Sequence, residues 1–199
     1  MRRPNVNKSK AEEAIEARSR RGLDVTIERI VPGGVGIGHA EKMTVLVPFS
    51  APGDVARVSI DKVRGNTAFT TLKEIIEPGS KRVIPPCPHY GYCGGCDFQH
   101  LSYDAQVEAK KEIIKDCLRR IGGIELVELD VMPSPLEWGY RIRADWAFDI
   151  TKPAFGYHIR GSREIFDVQT CPILNPILEN ARDRIHDAIL SDHLSDQLP

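Results

Sequence analysis

No stretch of this 199-residue chain is apolar for long enough to cross a bilayer, and its basic N-terminus is not followed by the apolar core of a signal peptide. The expected location is therefore the cytoplasm, with no membrane partner. An excess of charge of either sign is also missing. The formal net charge is -1, so any affinity for nucleic acid must come from local patches and not from a global basic field. A dinucleotide-type loop is absent too: Gly33, Gly34, Gly36 and Gly38 miss the Gly-x-Gly-x-x-Gly spacing and lead into a strand pattern, and no glycine follows Gly161. They read instead as hairpin turns that need positive φ.

Cysteine is sparse but uneven. Of five cysteines, three fall in the ten residues Cys87 to Cys96, and Cys171 supplies a fourth soft ligand. In a reducing compartment this clustering points to ligation rather than to disulfides. Four thiolates suit zinc or an iron-sulfur cluster equally well by number. Structural zinc usually takes two Cys-x(2-4)-Cys knuckles, whereas here three thiols come from one lobe and a single one from a distant lobe, which favours a cubane cluster. Gly94 and Gly95 fit either metal, because uncrowded amides can turn toward sulfur. The fifth cysteine, Cys117, lies on the apolar face of a helix and is expected in a core.

Along the chain, residues 1–21 carry seven Lys/Arg against three Glu and read as a solvated, disordered tail. From Leu23 to Glu77 short β-rich runs (Leu23–Val31, Thr44–Val47, Val55–Val63, Thr67–Ile76) are separated by Pro/Gly turns, the pattern of a small closed barrel over residues 22–80. A stiff connector at Lys81 to Pro86 leads into the cysteine lobe. After it, Ser102 or Asp104 caps a helix ending at Gly122-Gly123, with Val107, Ile114, Cys117, Leu118 and Ile121 on one face. Its cations Lys110, Lys111, Lys115, Arg119 and Arg120 lie on other faces, as solvated surface or as contacts to RNA phosphates. Runs at Tyr140–Ile150, Ala154–His158 and Glu164–Val168 read as an antiparallel meander that carries Cys171 back beside Cys96. A last helix starts at Asn175-Pro176, with Leu178, Ala181, Ile185, Ala188 and Ile189 on one face, and residues 191–199 read as frayed.

The run Cys87-x5-Cys93-Gly-Gly-Cys96-x2-Gln99-His100-Leu101-x-Tyr103-x2-Gln106-x3-Lys110, continuing to Leu118-Arg119-Arg120-Ile121-Gly122-Gly123, resembles the SAM-dependent RNA uracil-5-methyltransferases. So do Trp138-Gly139-Tyr140-Arg141, Ile165-Phe166-Asp167-Val168 and Cys171-Pro172-Ile173; Ile142 stands where members carry a polar or basic residue. The first sixty barrel residues, with their Val47-Pro48-Phe49 strand end and Pro52-Gly53-Asp54 turn, resemble the TRAM domain, an OB-like RNA-binding barrel. The resemblance implies an α+β fold, an N-terminal OB-like barrel followed at 81–199 by a small [4Fe-4S]-binding α+β domain with an antiparallel sheet and the start of a truncated methyltransferase region. It implies cluster ligands Cys87, Cys93, Cys96 and Cys171.

Function follows in the same terms. The resemblance implies the RNA-recognition portion of a 23S ribosomal RNA uracil-5-methyltransferase, catalytically incompetent alone. Methylation at C5 needs an attacking thiolate, a base and S-adenosylmethionine, and the family places these in a methyltransferase domain expected to begin where this chain stops. No catalytic residue is assigned here, and SAM enters only through that separate domain. Arg141, Arg143, Arg160 and Arg163 are candidate RNA phosphate contacts, with Tyr90, Tyr92 and Phe98 as stacking candidates. The expected partner is RNA, not DNA, and the chain is expected to be a monomer. A free-standing iron-sulfur protein that binds RNA or senses redox state is the alternative. A radical SAM enzyme would need Cys-x3-Cys-x2-Cys, a spacing this chain does not have.

Overall fold

The computed structural model describes residues 22–40, 42–126, 128–149 and 154–190; the expected N-terminal tail and frayed C-terminus lie outside them. Contacts divide the chain into two compact units. One runs up to Val83 and includes His100–Leu129; the other combines Ile84–Gln99 with the chain from Asp130 onward.

The first unit is built on five strands, β1 (Leu23–Val31), β2 (Val35–Ala40), β3 (Met43–Pro48), β4 (Val55–Arg64) and β5 (Thr67–Glu77). They close into a barrel in the order β1-β2-β3-β5-β4. Antiparallel hairpins explain most of the ladder, while β3 and β5 pair in parallel and β1 meets β4 to close the ring. Alternation along each strand sends one set of side chains inward. Val25, Ile27, Val45, Val47, Ala56 and Val58 are the buried cluster that results.

The glycines of the first turn serve two different ends. Gly33 and Gly34 do adopt positive φ, as a tight turn requires. Gly36 and Gly38 do not; they sit inside β2, where the backbone passes close to its neighbours. A Cβ on Gly38 would lie 2.2 Å from the Thr26 carbonyl oxygen and 2.8 Å from Val25. Gly38→Ala is therefore expected to lower barrel stability by about 1–3 kcal/mol through overpacking, read from the urea midpoint.

Helix α1 (Tyr103–Gly122) starts at Ser102, whose hydroxyl accepts from the Ala105 N–H, and stops at Gly123 in the left-handed region. It belongs to the barrel's unit, whereas the linear reading placed it with the cysteines. Leu101 and Ala105 are buried, the Arg82 and Leu101 backbones pair, and Asp116 lies 3.8 Å from Arg29 of β1. The expected apolar face is only partly covered: Ile114 is 46% exposed and Ile121 86%. Along the helix Lys115 pairs with Glu112, and Arg119 and Arg120 both pair with Asp116. Arg119 first, then Arg120, holds the Asp116 carboxyl below its ordinary range.

The second unit has a three-stranded antiparallel sheet, β6 (Ala147–Asp149), β7 (Ala154–His158) and β8 (Ile165–Asp167), and helix α2 (Pro176–Leu190). The first expected strand is thus much shorter than Tyr140–Ile150. Around Gly139 and Arg141 the chain leaves the sheet to bond with residues 172–175 instead. The inward face of α2 also differs. Ala188 is exposed and Ile185 is 40% exposed, while Arg182 is buried and His186 turns in to meet Asp167 at 2.9 Å.

Candidate metal centre

The loop from Cys87 to Cys96 is curled by successive turns. The amides of Tyr90 and Tyr92 donate to the carbonyls of Cys87 and His89, and Cys93 N–H donates to His89 at 2.8 Å. The β7–β8 hairpin clamps this loop. Gly94 N–H donates to the His158 carbonyl, Arg160 N–H donates to that of Tyr92, and the Cys93 and Ile159 backbones form a bridge between them. Phe166 of β8 packs against the rings of both His89 and Tyr92, at centroid distances of 5.3 and 5.1 Å.

The second lobe is a turn. Leu174 N–H donates to the Cys171 carbonyl at 2.9 Å, and the flanking backbone pairs in parallel with the Gly139–Arg141 segment. The amides of Gly139 and Arg141 donate to Pro172 and Ile173, and that of Asn175 to Arg141. Two motifs some thirty residues apart in sequence thus build one piece of structure, which no periodicity in the sequence reveals.

Both lobes open on one cavity of about 400 Å³. Its walls include all four thiols, of Cys87, Cys93, Cys96 and Cys171, together with Arg141, Arg143 and Tyr157. The cysteines are free and half-buried. Among the described residues, no group of three or more His, Cys, Asp or Glu side chains is placed to hold a metal ion. Burial pushes each thiol above its ordinary value. Against burial, each thiol has its own donor: the amide of His89 for Cys87, of Gly95 for Cys93 and of Ile173 for Cys171, and the Gln99 side chain for Cys96. The Gly95 amide lies 3.3 Å from the Cys93 sulfur. Of the two glycines, then, only Gly95 offers its amide to sulfur. Arg141 adds a positive charge that eases Cys93 and Cys96 toward thiolate.

The four arginines singled out in the sequence separate by environment. Arg141 is half-buried at the cavity wall. Arg143 is exposed, 3.6 Å from an equally exposed Asp145. Arg160 turns inward and donates to the Cys96 carbonyl and to Asp97, both at 2.7 Å, so its head group locks the cysteine loop. Arg163 is exposed near the hairpin end. Glu179 and Arg182 of α2, which the sequence pattern did not single out, also reach this centre: Glu179 Oε1 accepts the Cys171 N–H at 3.0 Å. The available signal was Arg182 itself, a cation on the stripe set by Leu178 and Ile189.

The TRAM domain family profile matches residues 17–73. An uncharacterized RNA methyltransferase of Synechocystis is 37% identical over 155 residues, covering 76% of this chain and 34% of the relative. The 23S rRNA (uracil(1939)-C(5))-methyltransferase of Vibrio parahaemolyticus is 32% identical over 178 residues, covering 87% of this chain and 40% of the relative. Among solved structures, the tRNA (uracil-54, C5)-methyltransferase of Pyrococcus abyssi, in complex with S-adenosyl-L-homocysteine, superimposes with a TM-score of 0.57. It is 29% identical, and the match covers 83% of this chain and 36% of that one. The chain belongs to the RNA uracil-C5 methyltransferase family. It spans a little over a third of the length of these relatives. For a chain of the RNA uracil-C5 methyltransferase family the closed five-stranded barrel is the TRAM domain, and its strands fall within the matched residues except at the end of β5. No helix among the described residues is long and apolar enough to cross a membrane.

Proposed function

We propose that this chain is the RNA-recognition portion of a methyltransferase acting on uracil C5 in 23S ribosomal RNA, and that Cys87, Cys93, Cys96 and Cys171 hold a [4Fe-4S] cluster in it. The observation that carries the second half is the shared cavity. Thiols from two lobes separated by 74 residues line one space, with the Gly95 amide 3.3 Å from the Cys93 sulfur. The donor set fits the group: all four ligands are soft thiols, and N–H groups directed at sulfur disperse the charge of a thiolate. The three-plus-one distribution of the thiols along the chain, unlike the paired knuckles of structural zinc, favours a cluster that brings its own iron and sulfide. Bound there, the cluster would supply a cross-link and a local charge.

The chain's own residues would then do the recognition. The segment before β6 and the β7–β8 hairpin present Arg143 and Arg163 outward, while Arg160 keeps the cysteine loop in shape. The described residues contain a barrel and a small antiparallel sheet and no doubly wound parallel sheet, so S-adenosylmethionine and the catalytic thiolate would be held elsewhere in the enzyme. Nothing in the structure favours a free-standing redox sensor over this reading.

The test is RNA binding by the anaerobically reconstituted chain, titrated against salt. Arg143→Ala and Arg163→Ala should each lower the slope of log K against log salt by about 0.7, the single-strand value for one phosphate left without its cation. Wild-type binding that is absent, or that ignores salt, rejects the recognition role.

A further inference from the structure

We infer that Glu179 and Arg182 of α2 form a clasp that positions the fourth cluster ligand, Cys171. The inference rests on the cluster reading above. The chain leaving β8 turns toward Cys171 at Val168 and Gln169, just past the strand's end. The Val168 amide is taken by the Phe155 carbonyl. Its carbonyl, and that of Gln169, point instead to Arg182, whose two terminal nitrogens donate to them. Arg182 is only 3% exposed. Its two terminal nitrogens are answered there, while Nε has no hydrogen-bond partner; a guanidinium at that depth needs its charge answered as well. Glu179 lies one helical turn back, 3.4 Å from the same guanidinium, and Asp183 pairs with it as well. The same Glu179 oxygen accepts the Cys171 N–H at 3.0 Å. Three consecutive anchor points, at residues 168, 169 and 171, are thus fixed to one helix by two side chains.

The three-cysteine lobe needs no such device, because the hairpin pairs directly with its backbone. Cys171 has no strand partner of its own beyond the short 139–141 pairing. The planar fork of arginine can hold two successive carbonyls at once, which a lysine ammonium cannot do with the same geometry. Both clasp residues act through Cys171 and touch no cluster atom, so they are positioning residues.

The test uses the whole reconstituted chain and three variants: Glu179→Ala, Glu179→Gln and Arg182→Lys. Iron release to a chelator, iron per chain and the paramagnetic resonance spectrum are read alongside the melting curve. Glu179→Ala and Arg182→Lys should release iron 10- to 100-fold faster than wild type, the usual penalty for losing a partner behind a ligand. Their spectra should show a cluster missing one corner, while circular dichroism shows a folded chain. Glu179→Gln keeps an acceptor for the Cys171 amide and should stay close to wild type. Wild-type retention of iron in both Glu179→Ala and Arg182→Lys overturns the clasp, as does a Glu179→Gln chain as leaky as Glu179→Ala. Zinc or no metal in the wild type would reject the cluster itself, and the clasp with it.

Discussion

Cys171→Ser should leave the chain without a stable cluster. Reconstituted with iron and sulfide, it should carry little iron and lack the brown charge-transfer absorbance, while Cys117→Ser, which alters a helix residue outside the cavity, should match wild type. The asymmetry of the ligand set explains why Cys171 is the decisive position. Cys87, Cys93 and Cys96 share one loop whose shape is fixed by its own turns and by the β7–β8 hairpin. Cys171 alone brings the second lobe, across 74 intervening residues. A cross-link closing a loop of that size removes about 4 kcal/mol of chain entropy from the unfolded state, if the relation for disulfides is carried over. The unit therefore stands to lose both its cluster and a stabilisation of that order. Iron per chain and the urea midpoint, measured on the same preparation, read the two losses separately. Cys171→Ser protein holding as much iron as wild type would show that the four thiols do not share one group.

How much of this was legible in the sequence depends on whether a feature is local. The barrel strands were, since alternation such as Val55 to Val63 and turns at Pro52-Gly53 and Gly65-Asn66 are written in neighbouring residues. The parallel pairing of β3 with β5 was not, because nothing in Thr44 or Thr67 names its partner. Both ends of α1 could be read from Ser102 and Gly123, yet its apolar positions did not predict burial. Ile114 and Ile121 stay largely exposed because the helix meets the barrel near its start, at Ala105, and through Asp116. Spacing singled out the four cysteines as one set. It could not reveal that Gly139–Arg141 would pair with Pro172–Asn175, nor that Arg160 would turn inward onto Cys96. A strand over Tyr140–Ile150 was expected from composition alone, and hydrogen bonds to a distant segment displaced most of it. The helix α2 misreading has the same origin: hydrophobic periodicity counts an arginine as outward, and only the bare carbonyls of Val168 and Gln169 explain why Arg182 is inward.

Breaking the Asp54–Arg82 pair should produce the largest loss in the barrel unit. Asp54 is fully buried, and its two oxygens accept from four donors, one of which, Arg82 Nε, is shared between them. The Ala51 and Gly79 amides donate at 2.6 and 2.8 Å, and Arg82 donates through Nε at 3.0 Å and Nη2 at 2.7 Å. The same Arg82 nitrogen reaches the carbonyl of Phe49, a bulky residue held at φ 61°. Beside it the His100 ring lies 2.9 Å from the Ser50 carbonyl, and Leu101 pairs with Arg82. One carboxylate therefore ties the 49–54 turn, the Gly79 turn and the connector at Arg82 into a single joint, from which the chain departs toward the cysteine loop and to which it returns. Asp54→Ala leaves the Arg82 charge, the buried Ala51 amide and the half-buried Gly79 amide unanswered, a loss of about 3–5 kcal/mol for breaking one side of a buried pair. Arg82→Met strands the fully buried Asp54 carboxylate on its two amide donors alone, whereas Asp54→Ala strands an arginine that is 19% exposed, so Arg82→Met should cost at least as much as Asp54→Ala. Combining the two should cost less than their sum, since each single variant already strands the other partner, and the coupling is expected at about 1–3 kcal/mol. Denaturant titration of the four proteins in this cycle measures it. Strict additivity, or an Asp54→Ala midpoint equal to wild type, would mean that the barrel's core alone holds the connector and that the buried ion pair contributes nothing to it.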